Sequence, residues 1–70
     1  MDAINVQAGD MIQTLNHKGA WKTMLKVSDR FSPKDAIKLV MAQPSKRRIV
    51  RGTEVILDEG MIKKIFSNWA

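Results

Sequence analysis

The chain has no cysteine and a single histidine, His17. These two facts exclude a disulfide framework, a thiolate nucleophile, a thiolate zinc site and a multi-histidine metal centre. Aromatic residues are scarce: two tryptophans, two phenylalanines and no tyrosine. No apolar run approaches the ~20 residues needed to cross a bilayer. The opening Met1-Asp2-Ala3 lacks the basic-then-apolar order of a signal peptide. Catalytic signatures are missing too. His17 has no acid near it in sequence to orient it, and Ser28, Ser32, Ser45 and Ser67 lack a nucleophile-elbow context. There is no G-x-x-x-x-G-K sequence to cradle phosphate. The expectation is a non-enzymatic, cytoplasmic protein without metal or cofactor and without a place in the membrane.

What is present is charge, unevenly placed. The 70 residues, expected to form one domain over 1–70, carry a net charge of +5, and 44% of them are apolar. That apolar share is enough for a small packed core. Residues 17–51 hold ten Lys and Arg against two acids, while both flanks are mildly acidic. A basic middle creates a local positive field that favours polyanions.

Apolar and polar residues alternate over Ile4–Ala8, Met11–Leu15 and 21–27, the period of half-buried strands. In the last run Trp21, Thr23, Leu25 and Val27 are expected to face inward, with Lys22, Met24 and Lys26 outward. Turn signals stand between the runs: Gly9-Asp10, Asn16 to Gly19, Ser32-Pro33-Lys34-Asp35, Gln43-Pro44-Ser45-Lys46 and Gly52-Thr53. They recur about every ten residues, as in a meander, sandwich or barrel. On this reading residues 36–42 form a strand with Ile37, Leu39 and Met41 on one face. A helical reading competes, with helices over 18–28 and 33–42 and a terminal helix making a helical DNA-binding unit; Trp21, Met24 and Leu25 fit helical spacing, as do Ile37, Val40 and Met41. Ser32-Pro33-Lys34-Asp35 also suits a helix start, with a serine cap, proline in the first turn and an acid three residues on. The β-prone run 47–57 favours the strand reading overall. From Asp58 the pattern changes: Met61, Ile62, Ile65, Phe66 and Trp69 make one helical stripe behind an aspartate cap.

The strand order around Val6-Gln7-Ala8-Gly9-Asp10-Met11-Ile12 resembles the entry to an SH3-like barrel of the KOW type, similar to V-x-x-G-D-x-V. Gly19 stands where that family places a glycine before its second strand. The likeness covers residues 6–57 and implies a small five-stranded barrel. The sequence departs from the family in having Ala20-Trp21 before the second strand and a helix at its end. The expected fold is therefore mainly β, an SH3-like barrel or β-meander with one C-terminal α-helix.

The strongest candidate for function is Lys46-Arg47-Arg48 with Arg51, expected on a hairpin tip and its descending strand. Arginine offers forked donors to phosphate oxygens, and lysine a point charge. Lys22 and Lys26 are expected to extend the patch. Trp21, beside Lys22, offers a ring on which a base can stack, although core packing is its plainer role. The leading expectation is nucleic-acid binding, to DNA or RNA, by a monomer or weak homodimer. The alternative is a protein-interaction module, a small inhibitor or accessory protein docking on an acidic surface of a larger enzyme.

Overall fold

Turn chemistry and alternation combine into a four-stranded antiparallel sheet in the computed structural model, which describes residues 5–67 and their side chains up to Ile65. The elements are β1 (Met11–Leu15), β2 (Trp21–Lys26), α1 (Pro33–Ala42), β3 (Arg47–Arg51), β4 (Glu54–Leu57) and α2 (Glu59–Ser67). The sheet order is β2-β1-β3-β4, two hairpins joined by antiparallel pairing of β1 with β3. The mainly β expectation holds, in its meander form, with the C-terminal helix in place. A second helix, α1, lies between the hairpins.

Each hairpin closes for a local reason. Asn16 Oδ1 accepts the N–H groups of Lys18 and Ala20, both at 2.9 Å, and the Asn16 N–H donates to Ala20 O. An asparagine side chain bonding the backbone ahead of it mimics a turn, so β1 folds back on β2 here. Between β3 and β4 the loop is Gly52-Thr53, with Gly52 at φ +63°. Glycine at the first position of a two-residue loop gives the primed turn whose twist suits a hairpin.

The segment read as a strand over 36–42 is helical. Ser32 accepts the Asp35 N–H at 3.2 Å, and Pro33 occupies the first turn. The decisive factor is which residues the core takes. Helical spacing buries Ala36 and Val40 completely, four apart on one face. Strand alternation would instead have buried Met41, which is exposed. Over 5–8 there is no strand either, although Val6 is buried; Ile4 lies outside the described residues. The C-terminal helix begins as its sequence indicates. Asp58 Oδ1 accepts the Met61 N–H at 2.9 Å, and Ile62 is buried. The side chains of Phe66 and Trp69 lie outside the described residues.

The core occupies one face of the sheet. Register pairs Ile12 with Ile49 and Ile49 with Leu57, so these three share that face. Ala36 and Val40 of α1, Ile62 of α2, Val27 and Val6 complete the same cluster. Burying a Val, Ile or Leu side chain is worth about 1.5–3 kcal/mol each. The molecule is thus two layers: helices over one sheet face, and an opposite face on which neither described helix contributes to the core.

Candidate nucleic-acid interface

The residues singled out from the sequence are sorted onto two faces by one irregularity. In the β1–β2 ladder Ile12 pairs with Leu25 but Gln13 pairs with Thr23, leaving Met24 as an extra residue. Such a bulge shifts the alternation by one position. Trp21, Thr23 and Lys26 therefore share the open face, while Lys22 and Leu25 share the other. Two expectations fail for this reason. Trp21, Thr23, Leu25 and Val27 do not form one inward face, and Leu25 is 42% exposed. Nor do Lys22 and Lys26 stand together, since they lie on opposite faces.

On the open face the rows run across the sheet. Lys26, Met11, Val50 and Val55 make one row; Thr23, Gln13 and Arg48 the next; Trp21 and Leu15 the last. Arg48 reaches diagonally into the last row. Its guanidinium carbon sits 4.2 Å from the centroid of the Trp21 ring, and its Nε donates to Gln13 Oε1 at 2.8 Å. A guanidinium over an indole face is attracted by the ring quadrupole. Both side chains are half-buried, so the pair is a fixed plate at the surface. Lys46 is exposed at the end of the turn that enters β3, and its carbonyl accepts the Leu15 N–H at 2.8 Å, which ties that turn to the Trp21 end of the sheet.

The basic run itself is not a hairpin tip. β3 is an inner strand, paired with β1 on one side and β4 on the other. Its arginines alternate in direction, and two of the three are engaged inside the molecule. Arg47 Nη1 donates to Leu39 O at 2.8 Å. That carbonyl is in the last turn of α1, where helix carbonyls lack partners and the dipole is negative. The last turn of α1 holds no basic residue of its own, so Arg47 supplies the cation from the sheet.

Arg51 is bound more fully. Its Nε donates to Asp10 Oδ1 at 2.8 Å, and its Nη2 donates to Asp10 Oδ2 at 3.0 Å and to Asn5 O at 2.9 Å. Asp10 is almost wholly buried and also accepts the Gln7 N–H. The hydrogen bond from Arg51 holds the Asp10 carboxyl below its ordinary value; burial opposes this, and the Gln7 N–H adds to the lowering. The same bond raises the Arg51 value above its ordinary range. Sequence reasoning grouped Arg51 with the exposed bases and missed Asp10 altogether. The available signal was an acid at a turn immediately before a strand.

Beyond the plate, at the same end of the sheet, a pocket of about 190 Å³ is lined by Trp21, Pro44, Ser45, Arg47, Asp58 and Glu59 among others. His17 is exposed in the β1–β2 turn. Among the described residues no three His, Cys, Asp or Glu side chains gather as a metal would require. Nor is any helix there long and apolar enough to cross a membrane. Comparison of the chain with protein-family models, with curated proteins and with solved structures found no match.

Proposed function

We propose that this chain is a non-enzymatic nucleic-acid-binding protein of the cytoplasm, acting through the open face of its sheet. The observation that carries the reading is the Trp21–Arg48 plate on the face the helices leave bare. Arg48 covers one face of the Trp21 ring, and a guanidinium plane held flat on a ring is a surface on which an unpaired base stacks. Lys46 on one side and Lys26 on the other are exposed cations for the phosphates. The resemblance of residues 6–57 to KOW-type SH3-like barrels belongs to the same proposal. Arg51 and Arg47 have structural bonds and are secondary in it, although both entered the expected patch.

The alternative, docking on an acidic protein surface, draws on Met24 and Leu25, which are 37% and 42% exposed on the edge strand β2. The exposed lysines at 22 and 26 suit an acidic surface, while the bulge at Met24 blunts the edge against pairing with a partner strand. A titration of labelled single-stranded DNA, duplex DNA and RNA at several salt concentrations separates the two. Nucleic-acid binding should weaken with salt, and Lys46→Ser should lower the slope by about one unit without changing sequence preference. Absence of binding to all three at low salt would reject the proposal in favour of the protein partner.

A further inference from the structure

The pocket at the Trp21 end of the sheet has two chemically different parts. Trp21 and Pro44 give it flat apolar surface, and Asp58 and Glu59, from the start of α2, give it carboxylates. At about 190 Å³ it is smaller than the ~300–1,000 Å³ of sites for drug-sized molecules, and it suits one planar ring system. Arg47 lines it too, and its Nε is buried without a hydrogen-bond partner among the described residues.

Charge alone does not fix the guest: the lining holds one guanidinium, Arg47, and two carboxylates, Asp58 and Glu59. The nucleic-acid reading makes the guest a flat base, and the carboxylates require that base to present donors, because an ionised carboxylate only accepts. The two acids are not equally available. Asp58 Oδ1 caps α2 by accepting the Met61 N–H. Glu59 has only a loose pairing with Lys63, at 3.9 Å, and its side chain is 41% exposed.

We infer that this pocket holds a single unpaired guanine, stacked on Trp21 and read by the Glu59 carboxylate. Guanine alone among the common bases presents two adjacent donors, N1–H and the exocyclic amino group, on its Watson–Crick edge. They match the two oxygens of one carboxylate. Adenine and cytosine set one amino group beside an acceptor, and thymine and uracil set one N–H between two carbonyls. The inference rests on the nucleic-acid reading and adds a base preference to it: the plate and the lysines hold the strand, and the pocket selects within it.

The test uses the full chain and fluorescence anisotropy with labelled eight-nucleotide strands of thymine carrying one central guanine, one central inosine, or neither. The guanine strand should bind roughly tenfold more tightly than the all-thymine strand, the scale of one good bidentate contact. Inosine, which lacks the exocyclic amino group, should lose most of that gain. Glu59→Gln leaves one acceptor oxygen in place of two and should lower the guanine-over-thymine affinity ratio several-fold; because it also removes a negative charge near the strand, the ratio is the readout. If that variant does not fold, the inosine strand probes the same contact on the unaltered protein. Equal affinity for guanine and thymine strands would overturn the pocket assignment and leave the open-face reading standing. No binding of any strand at low salt would overturn the reading beneath it. Guanosine monophosphate competing as well as the guanine strand would support the base pocket and overturn its role in a polymer.

Discussion

The two ends of β3 contrast sharply although they are only a few residues apart. At the Arg51 end the guanidinium lies on a buried carboxylate and a backbone carbonyl, and it binds the segment before β1 to the sheet. At the Arg48 end the same group lies over an indole ring on the sheet face away from the helices, held by one glutamine oxygen. Both side chains are partly exposed, so exposure does not separate them. What separates them is the partner. A buried acid ties an arginine to the fold, because the acid's desolvation has to be compensated locally. A ring at the surface holds an arginine in place while leaving its polar edge to other groups. Residue type within a basic run therefore says little about which cations meet a ligand.

The contrast can be broken experimentally, and the largest effect should come from the strand between the two ends. Ile49→Ala, on the helix-covered face, should cost about 3–4 kcal/mol by urea denaturation; Val50 is also buried, at 6% exposure, but it has the smaller side chain and lies outside the main core cluster, so Val50→Ala should cost less. Equal losses would mean that the two faces are packed alike. Next in size is Asp10→Ala, expected to cost about 2–3 kcal/mol because it removes the acceptor for Arg51 and for the Gln7 N–H. Arg51→Ala should also destabilise, and the double variant should lose less than the two losses added, as for groups in direct contact.

A related effect should appear in acid. Because the folded Asp10 value is depressed, its contribution is complete above the ordinary carboxylate value of 3.8. That contribution declines as pH falls from there through the folded value. Urea midpoints measured down through this range should drop more for the native chain than for Asp10→Asn. A flat comparison would detach Arg51 from the stability of the fold. The smallest stability change belongs to the other end. Arg48→Ala should alter unfolding free energy by less than about 1 kcal/mol yet weaken strand binding several-fold in the anisotropy assay. A variant that loses stability as Asp10→Ala does, with binding intact, would reverse the roles of the two ends.

Much of the fold was legible because the signals are local. Asn16 to Gly19 and Gly52-Thr53 carry their own turn chemistry, and β1, β2, β3 and β4 lie where alternation or β-branched residues indicate. Asp58 with Ile62 marks the last helix in the same way. At 33–42 the sequence supports both readings, and the β-prone run 47–57 tips it towards strand. Ser32 capping Asp35 and the burial of Ala36 with Val40 decided for helix, and that burial exists only once α1 rests on the sheet. The candidate site was less legible. Trp21, Arg48, Lys46 and Lys26 were all named from sequence, but the Trp21–Arg48 contact joins residues 27 positions apart, and no spacing rule reaches that far.

By itself, then, the sequence determined the size and positive charge of the protein, its strand-and-turn framework and its terminal helix. Those follow from composition and from interactions within a few residues along the chain. The tertiary structure alone decided which cations are structural. The pairing of Asp10 with Arg51 and the docking of Arg47 on the last turn of α1 require strands and helix to be already in register. It also decided which way β2 faces, because the extra residue at Met24 is defined only against its partner strand β1.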